Sequence, residues 1–211
     1  MEKSLFFRFF AGVPMEGMDT FPLLPLGRWF LPIGIYLLII GFYLGIDRKN
    51  RDLILLRYGN RETWWKHYFI KNLLYGGLTA GFLLFLGKMA EMFLSKYLLT
   101  SPGTVFWIFA LWTVHGMLFL SFFLFLELTK IRKVVPSLLL FTEGITFLYG
   151  YRNKAVAPFM PGAWGMYAQS NFYAPISGFS AISVIVLQIL GILCCYFLGI
   201  HLLKKKEMEG V

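Results

Sequence analysis

The sequence predicts an all-α membrane protein, a polytopic helical bundle of about five spanning helices plus an external re-entrant segment. Three observations carry that prediction. Of the 211 residues, 58% are hydrophobic and only 15% are charged, which is more apolar side chain than the interior of a soluble domain can hold. The apolar residues are gathered into runs close to the roughly 20 residues that a helix needs to cross a hydrocarbon core. The basic residues fall between those runs, as topology signals do, and the net charge of +9 forms no continuous polar face. That distribution points to lipid, not nucleic acid, as the partner of the surface.

Taken in order, residues 4–13 are apolar but interrupted by Arg8, and no Ala-x-Ala-like site follows, so no cleaved signal peptide is expected. Spans are expected at about 29–46, 69–93, 105–128, 134–149 and 181–203, the fourth being the shortest. No stretch between them is long enough for a soluble domain, so residues 1–211 are read as a single transmembrane domain. Arg48, Lys49, Arg51, Arg57, Arg61, Lys66, Lys71, Lys130, Arg132, Lys133 and Lys204 to Lys206 fall on one side, 13 of the 20 Lys and Arg. Lys3, Arg8, Arg28, Lys88, Lys96, Arg152 and Lys154 fall on the other. The richer side is assigned to the cytoplasm, with the C-terminus there and the N-terminus outside for five crossings.

Gly41 with Gly45 and Gly77 with Gly81 form two GxxxG patterns that let helix backbones approach closely. Trp29, Trp107, Tyr97, Tyr149 and Tyr151 stand near expected helix ends, where aromatic side chains anchor at the interface. The connection 47–71 is basic and aromatic, with a short apolar run at 53–56, a turn signal at Tyr58-Gly59-Asn60 and the tandem Trp64 and Trp65. It reads either as a surface anchor or as a docking element for a soluble partner. The connection 151–180 carries Pro158, Pro161, Gly162, Trp164, Gly165, Pro175 and Gly178 among apolar residues. It is too apolar for a solvated loop and too broken for a spanning helix, which fits a re-entrant or interfacial cap.

The search for chemistry gives no catalytic residue. No Gly-x-x-x-x-Gly-Lys-[Ser/Thr] phosphate loop occurs; the stretch from Gly81 to Lys88 is one residue too long and lies in an expected helix. His67, His115 and His201 are scattered, with no His-Glu-x-x-His pattern, so no metal site is expected. Ser121 or Ser137 could face His115, but neither stands in the context of a nucleophile. Cys194 and Cys195 are adjacent within an apolar run and read as packing residues. Ionisable or strongly polar groups inside membrane helices are costly and face a protein interior or a polar path. Glu143 is the first candidate, with His115 and Gln188 behind it; each reads either as a helix-packing hydrogen bond or as part of a substrate path. Lys88 and Glu91 should pair, and Glu127 should reach the inner interface near Lys130.

The stretch Arg57-Tyr58-Gly59-Asn60-Arg61-x-x-Trp64-Trp65, set between two apolar helices, and the Pro/Gly-broken segment before the last helix resemble the permease subunits of type-2 ABC exporters. The likeness is to the small ones found with bacteriocin or antimicrobial-peptide export and immunity systems. In that family an RxGxRxxWW-like stretch forms the coupling helix that docks on the ATPase, and a re-entrant hairpin lies between the last two helices. The resemblance implies a bacterial cytoplasmic membrane location and a coupling surface at Arg57, Tyr58, Gly59, Arg61, Trp64 and Trp65. It also implies a separate ABC ATPase subunit holding ATP and magnesium, and a second permease chain completing the path. The family's first helix has no full counterpart, so residues 4–28 are expected to form a truncated or re-entrant helix. The alternatives from the residues are a ligand-capturing subunit of an importer and an immunity or structural protein that moves nothing.

Overall fold

The computed structural model describes residues 4–14, 22–49, 58–94, 99–129, 134–152, 156 and 159–208. Within them lie six α-helices: α1 (Leu5–Phe10), α2 (Leu23–Lys49), α3 (Arg61–Leu94), α4 (Pro102–Glu127), α5 (Val135–Arg152) and α6 (Ala181–Met208). Four of these, α2, α3, α4 and α6, are long and apolar enough to cross a membrane, the architecture of a multi-pass membrane protein.

The expected fourth span corresponds to α5, whose 18 residues would extend about 27 Å. Four of the five expected spans are matched by helices of spanning length and apolarity, and α5 stands at the place of the remaining one. Thr142, Glu143 and Thr146 interrupt its apolar run, and it falls short of the apolarity of the other four. The connection 47–71 is shorter than the spacing of the apolar runs suggests. The turn at Gly59 is present, with φ of +70°, and Asn60 Oδ1 accepts from Thr63 N at 2.6 Å to cap α3. After that cap no further break occurs, so residues 61–71 are the first turns of a 34-residue helix rather than a separate coupling helix. The apolar run at 53–56 lies outside the described residues, as do Arg57, Tyr97 and Lys130.

Local signals explain the other boundaries. Ser101 caps α4 by accepting from Thr104 N at 3.3 Å, and Pro102 follows where its missing N–H is no loss. Asn171 Oδ1 accepts from Ala181 N at 3.2 Å at the start of α6. Ser4 caps the short α1, which ends at Gly12 with φ of +83°.

Helix α4 is the hub. Of its most apolar stretch 61% is buried, against 39%, 33% and 28% for α2, α3 and α6, and it packs chiefly on α3 and α6. The outer faces carry Leu38, Phe42, Leu78, Phe82, Phe93, Phe106, Phe141, Leu190 and Phe197, all exposed. A belt of that extent suits a hydrocarbon solvent.

The two ends of the bundle differ. At the basic end, Lys71 pairs with Asp47 at 2.7 Å, Lys204 with Glu62 at 3.1 Å, and Tyr68 donates to Glu127 Oε2 at 3.1 Å. The opposite, capped end gathers α1, the start of α4 and the 159–180 segment. There Lys88 pairs with the buried Glu91, as the spacing predicts, and Thr100 Oγ1 donates to the same carboxylate at 2.7 Å. Ala168 N donates to Ala11 O at 2.7 Å, and Gln169 Nε2 to Val13 O at 3.2 Å, which ties α1's exit to the cap.

Candidate functional site

The polar residues nominated on three different helices meet. Glu143 of α5, His115 of α4 and Gln188 of α6 are each at most 1% exposed. His115 Nε2 lies 3.2 and 3.3 Å from the two Glu143 oxygens, and Nδ1 lies 3.2 Å from Gln188 Oε1. Each of these polar residues is buried in a largely apolar helix, where lacking a partner would be costly. Meeting in one place is how the three helices avoid that.

Two further members escaped the sequence reading. Trp29 donates its indole N–H to Glu143 Oε1 at 3.1 Å and is fully buried, not an interfacial anchor. The reason is that α2 begins at Leu23, six residues earlier than expected, which moves Trp29 inside the helix. The main chain of Trp164, in the 159–180 segment, accepts from Gln188 Nε2 at 3.4 Å. The cap therefore reaches into the bundle. Two glycines permit it. A Cβ on Gly165 would lie 2.8 Å from the His115 ring and 3.0 Å from Trp29, and one on Gly162 would lie 2.2 Å from the Glu143 carbonyl and 2.5 Å from Phe147 N. Gly162 N instead donates to Thr146 Oγ1 at 2.9 Å. The signal that could have found this contact is the Pro161-Gly162-x-x-Gly165 spacing inside an apolar run, small residues where backbone must approach closely.

Comparison of the chain with protein-family models, curated proteins and solved structures gave no match.

The expected coupling residues divide into two groups. Gly59 is exposed and Tyr58 and Arg61 are half-exposed at the basic end. Trp64 and Trp65 are instead buried, at 3% and 0% exposure. Trp65 donates to Tyr196 O at 3.0 Å and lies over Gly199 of α6, where a Cβ would come within 2.3 Å of its ring. Trp64 stacks on Tyr68 at 4.8 Å. As placed, Trp65 holds α3 to α6, while Trp64 packs on its own helix. Beside them Tyr58, Trp64, His67, Tyr68 and Lys71 line a cleft of about 230 Å³.

The glycine pairs also divide. Gly77 and Gly81 approach Met117 and Phe109 of α4, whereas a Cβ on Gly41 or Gly45 would meet nothing within 4 Å. Among the described residues, only the second pair marks a helix contact.

Proposed function

We propose that the chain is the transmembrane permease subunit of an ATP-driven exporter, forming half of a substrate path and coupled at its basic end to a separate ATPase subunit that holds ATP and magnesium. The observation that carries this reading is the two-ended construction. One end exposes Tyr58, Gly59 and Arg61 at the start of a long helix that continues to the other end. The opposite end is closed by a segment inserted among the helices down to the Glu143–His115–Gln188 junction. A push at the start of α3 is thereby connected through packed helices to the closure. The junction is filled by its own side chains, so the path is assigned to the interface with a second permease chain, and Glu143, His115 and Gln188 act on its closure. Helix faces rich in Leu and Phe suit an amphipathic peptide, drug or lipid-like cargo. The Lys and Arg excess of the basic end supports a cytoplasmic orientation for it, and the resemblance to bacterial exporters supports a bacterial membrane.

The test is co-purification. Tyr58→Ala with Arg61→Ala should leave membrane yield at the parental level yet release the ATPase from a detergent pull-down, because both side chains are partly exposed and stand at the helix start. An ATPase retained at parental levels would sink the coupling role. One observation favours a second reading: the junction's polar groups satisfy one another, which also suits a rigid immunity protein that moves nothing. Substrate-stimulated ATP turnover by the complex separates the two.

A further inference from the structure

We infer that Glu143 and His115 form a one-proton binding site whose occupancy locks the 159–180 segment onto the helices. The inference stands on the junction alone and does not rest on the exporter reading.

The Trp164 carbonyl can only accept a hydrogen bond. Gln188 must therefore turn its NH2 group toward it, at 3.4 Å, which leaves Oε1 facing His115 Nδ1 at 3.2 Å. That oxygen is likewise only an acceptor, so Nδ1 carries a hydrogen. The reversed amide would set oxygen against oxygen at Trp164. On the far side of the ring, Nε2 faces the Glu143 carboxyl at 3.2 and 3.3 Å, and this link holds one proton. Either Nε2–H donates to a carboxylate, or a neutral carboxyl donates its O–H to a bare Nε2. Both arrangements have zero net charge, and they differ only by the position of a proton along one hydrogen bond. Trp29 donates to Glu143 Oε1 in both.

The surroundings hold the count at one. From α2 come Trp29 and Tyr36, whose hydroxyl donates to the Gly116 carbonyl at 2.9 Å; from α6 comes Gln188; from the cap come Trp164 and Gly165. No hydrogen bond or ion pair joins the pair to another charged side chain among the described residues. Removing the proton leaves a carboxylate facing a nitrogen lone pair. Adding a second leaves an imidazolium beside a neutral acid whose O–H has no acceptor. Each change leaves an uncompensated charge where no solvent reaches. The structure can meet it by lifting the cap off Gln188 and admitting water.

Nitrogen-15 NMR of histidine-labelled protein tests the first half, with His67→Gln and His201→Gln leaving His115 as the sole reporter; both replaced residues are exposed. The expected result is a protonated Nδ1. A neutral ring with its hydrogen on Nε2 would overturn the assignment. Glu143→Gln should stay folded with a neutral, Nδ1-protonated ring, because the amide can accept from Trp29 and donate to Nε2. A cationic ring in that variant would also count against it.

The lock is tested by a water-soluble maleimide on Ser170→Cys, a buried position in the cap, in a Cys194→Ala, Cys195→Ala background. Gln188→Met preserves volume but removes both hydrogen bonds. It should raise labelling roughly tenfold, the factor expected for losing the one of these bonds that reaches the cap, from Gln188 to the Trp164 carbonyl. Thr79→Val, which removes a hydroxyl bonded only within its own helix, should not. Equal labelling in the parent and Gln188→Met would overturn the lock. None of these readouts needs an ATPase or a cargo, so they fail or succeed separately from the exporter reading.

Discussion

The polar groups of the basic end and those of the central junction are built in opposite ways. At the basic end, Lys71 pairs with Asp47 and Lys204 with Glu62 while the lysines remain half-exposed. Water can replace each partner, so such pairs contribute little singly. At the junction, Glu143, His115, Gln188 and Trp29 have, among the described residues, only one another and one main-chain carbonyl as hydrogen-bond partners. Losing a member there leaves a buried group with nothing to bond. The difference separates surface charge, which orients and presents, from buried polarity, which decides how three helices and a loop meet.

The largest effect should come from Gly162→Ala. The new methyl would overlap main-chain atoms of α5, which cannot rotate away, so the substitution should destabilise by about 3 kcal/mol or more. A fall in thermal midpoint in detergent, with increased access to the cap, checks it. A parental midpoint would show that the cap does not need its contact with α5.

Trp65→Ala sharpens the comparison from the basic end, since this side chain lies there but is buried like the junction. Removing the indole that covers Gly199 and bonds Tyr196 O should cost about 3–5 kcal/mol. Reduced membrane yield and a lower midpoint are expected. If yield and midpoint stay parental, Trp65 faces lipid or a partner and not α6.

Asp47→Asn should have the smallest effect. It removes one partly exposed pair and should cost about 0.5 kcal/mol, fading as salt rises. A loss comparable to that of Trp65→Ala would erase the distinction between the two regions.

Much of this was legible before the structure. Glu143, His115 and Gln188 stood out because polar side chains are conspicuous in apolar helices, and Tyr58-Gly59-Asn60 announced a turn. The break at 59–60 followed from local chemistry, since an asparagine cap and a glycine with positive φ act within a few residues. The burial of the tandem tryptophans was not legible, because Trp at a basic helix start is equally suited to headgroups, to a partner and to a neighbouring helix. For Trp65, Tyr196 and Gly199, far along the chain, select the last.

Composition and periodicity therefore determined by themselves that the chain is helical, that it carries several helices suited to a membrane, and which residues are too polar to face lipid. These depend on side chains within a turn or a span of each other, and the solvent reads them directly. The tertiary structure decided that Trp29 joins Glu143, that Trp64 and Trp65 turn inward, and that Gly162 and Gly165 bring the cap against α5 and His115. Those contacts join residues 114 positions apart in the case of Trp29 and Glu143 and 131 in the case of Trp65 and Tyr196. They follow from how helices with several equally apolar faces choose one to bury, a choice that only the packed bundle makes.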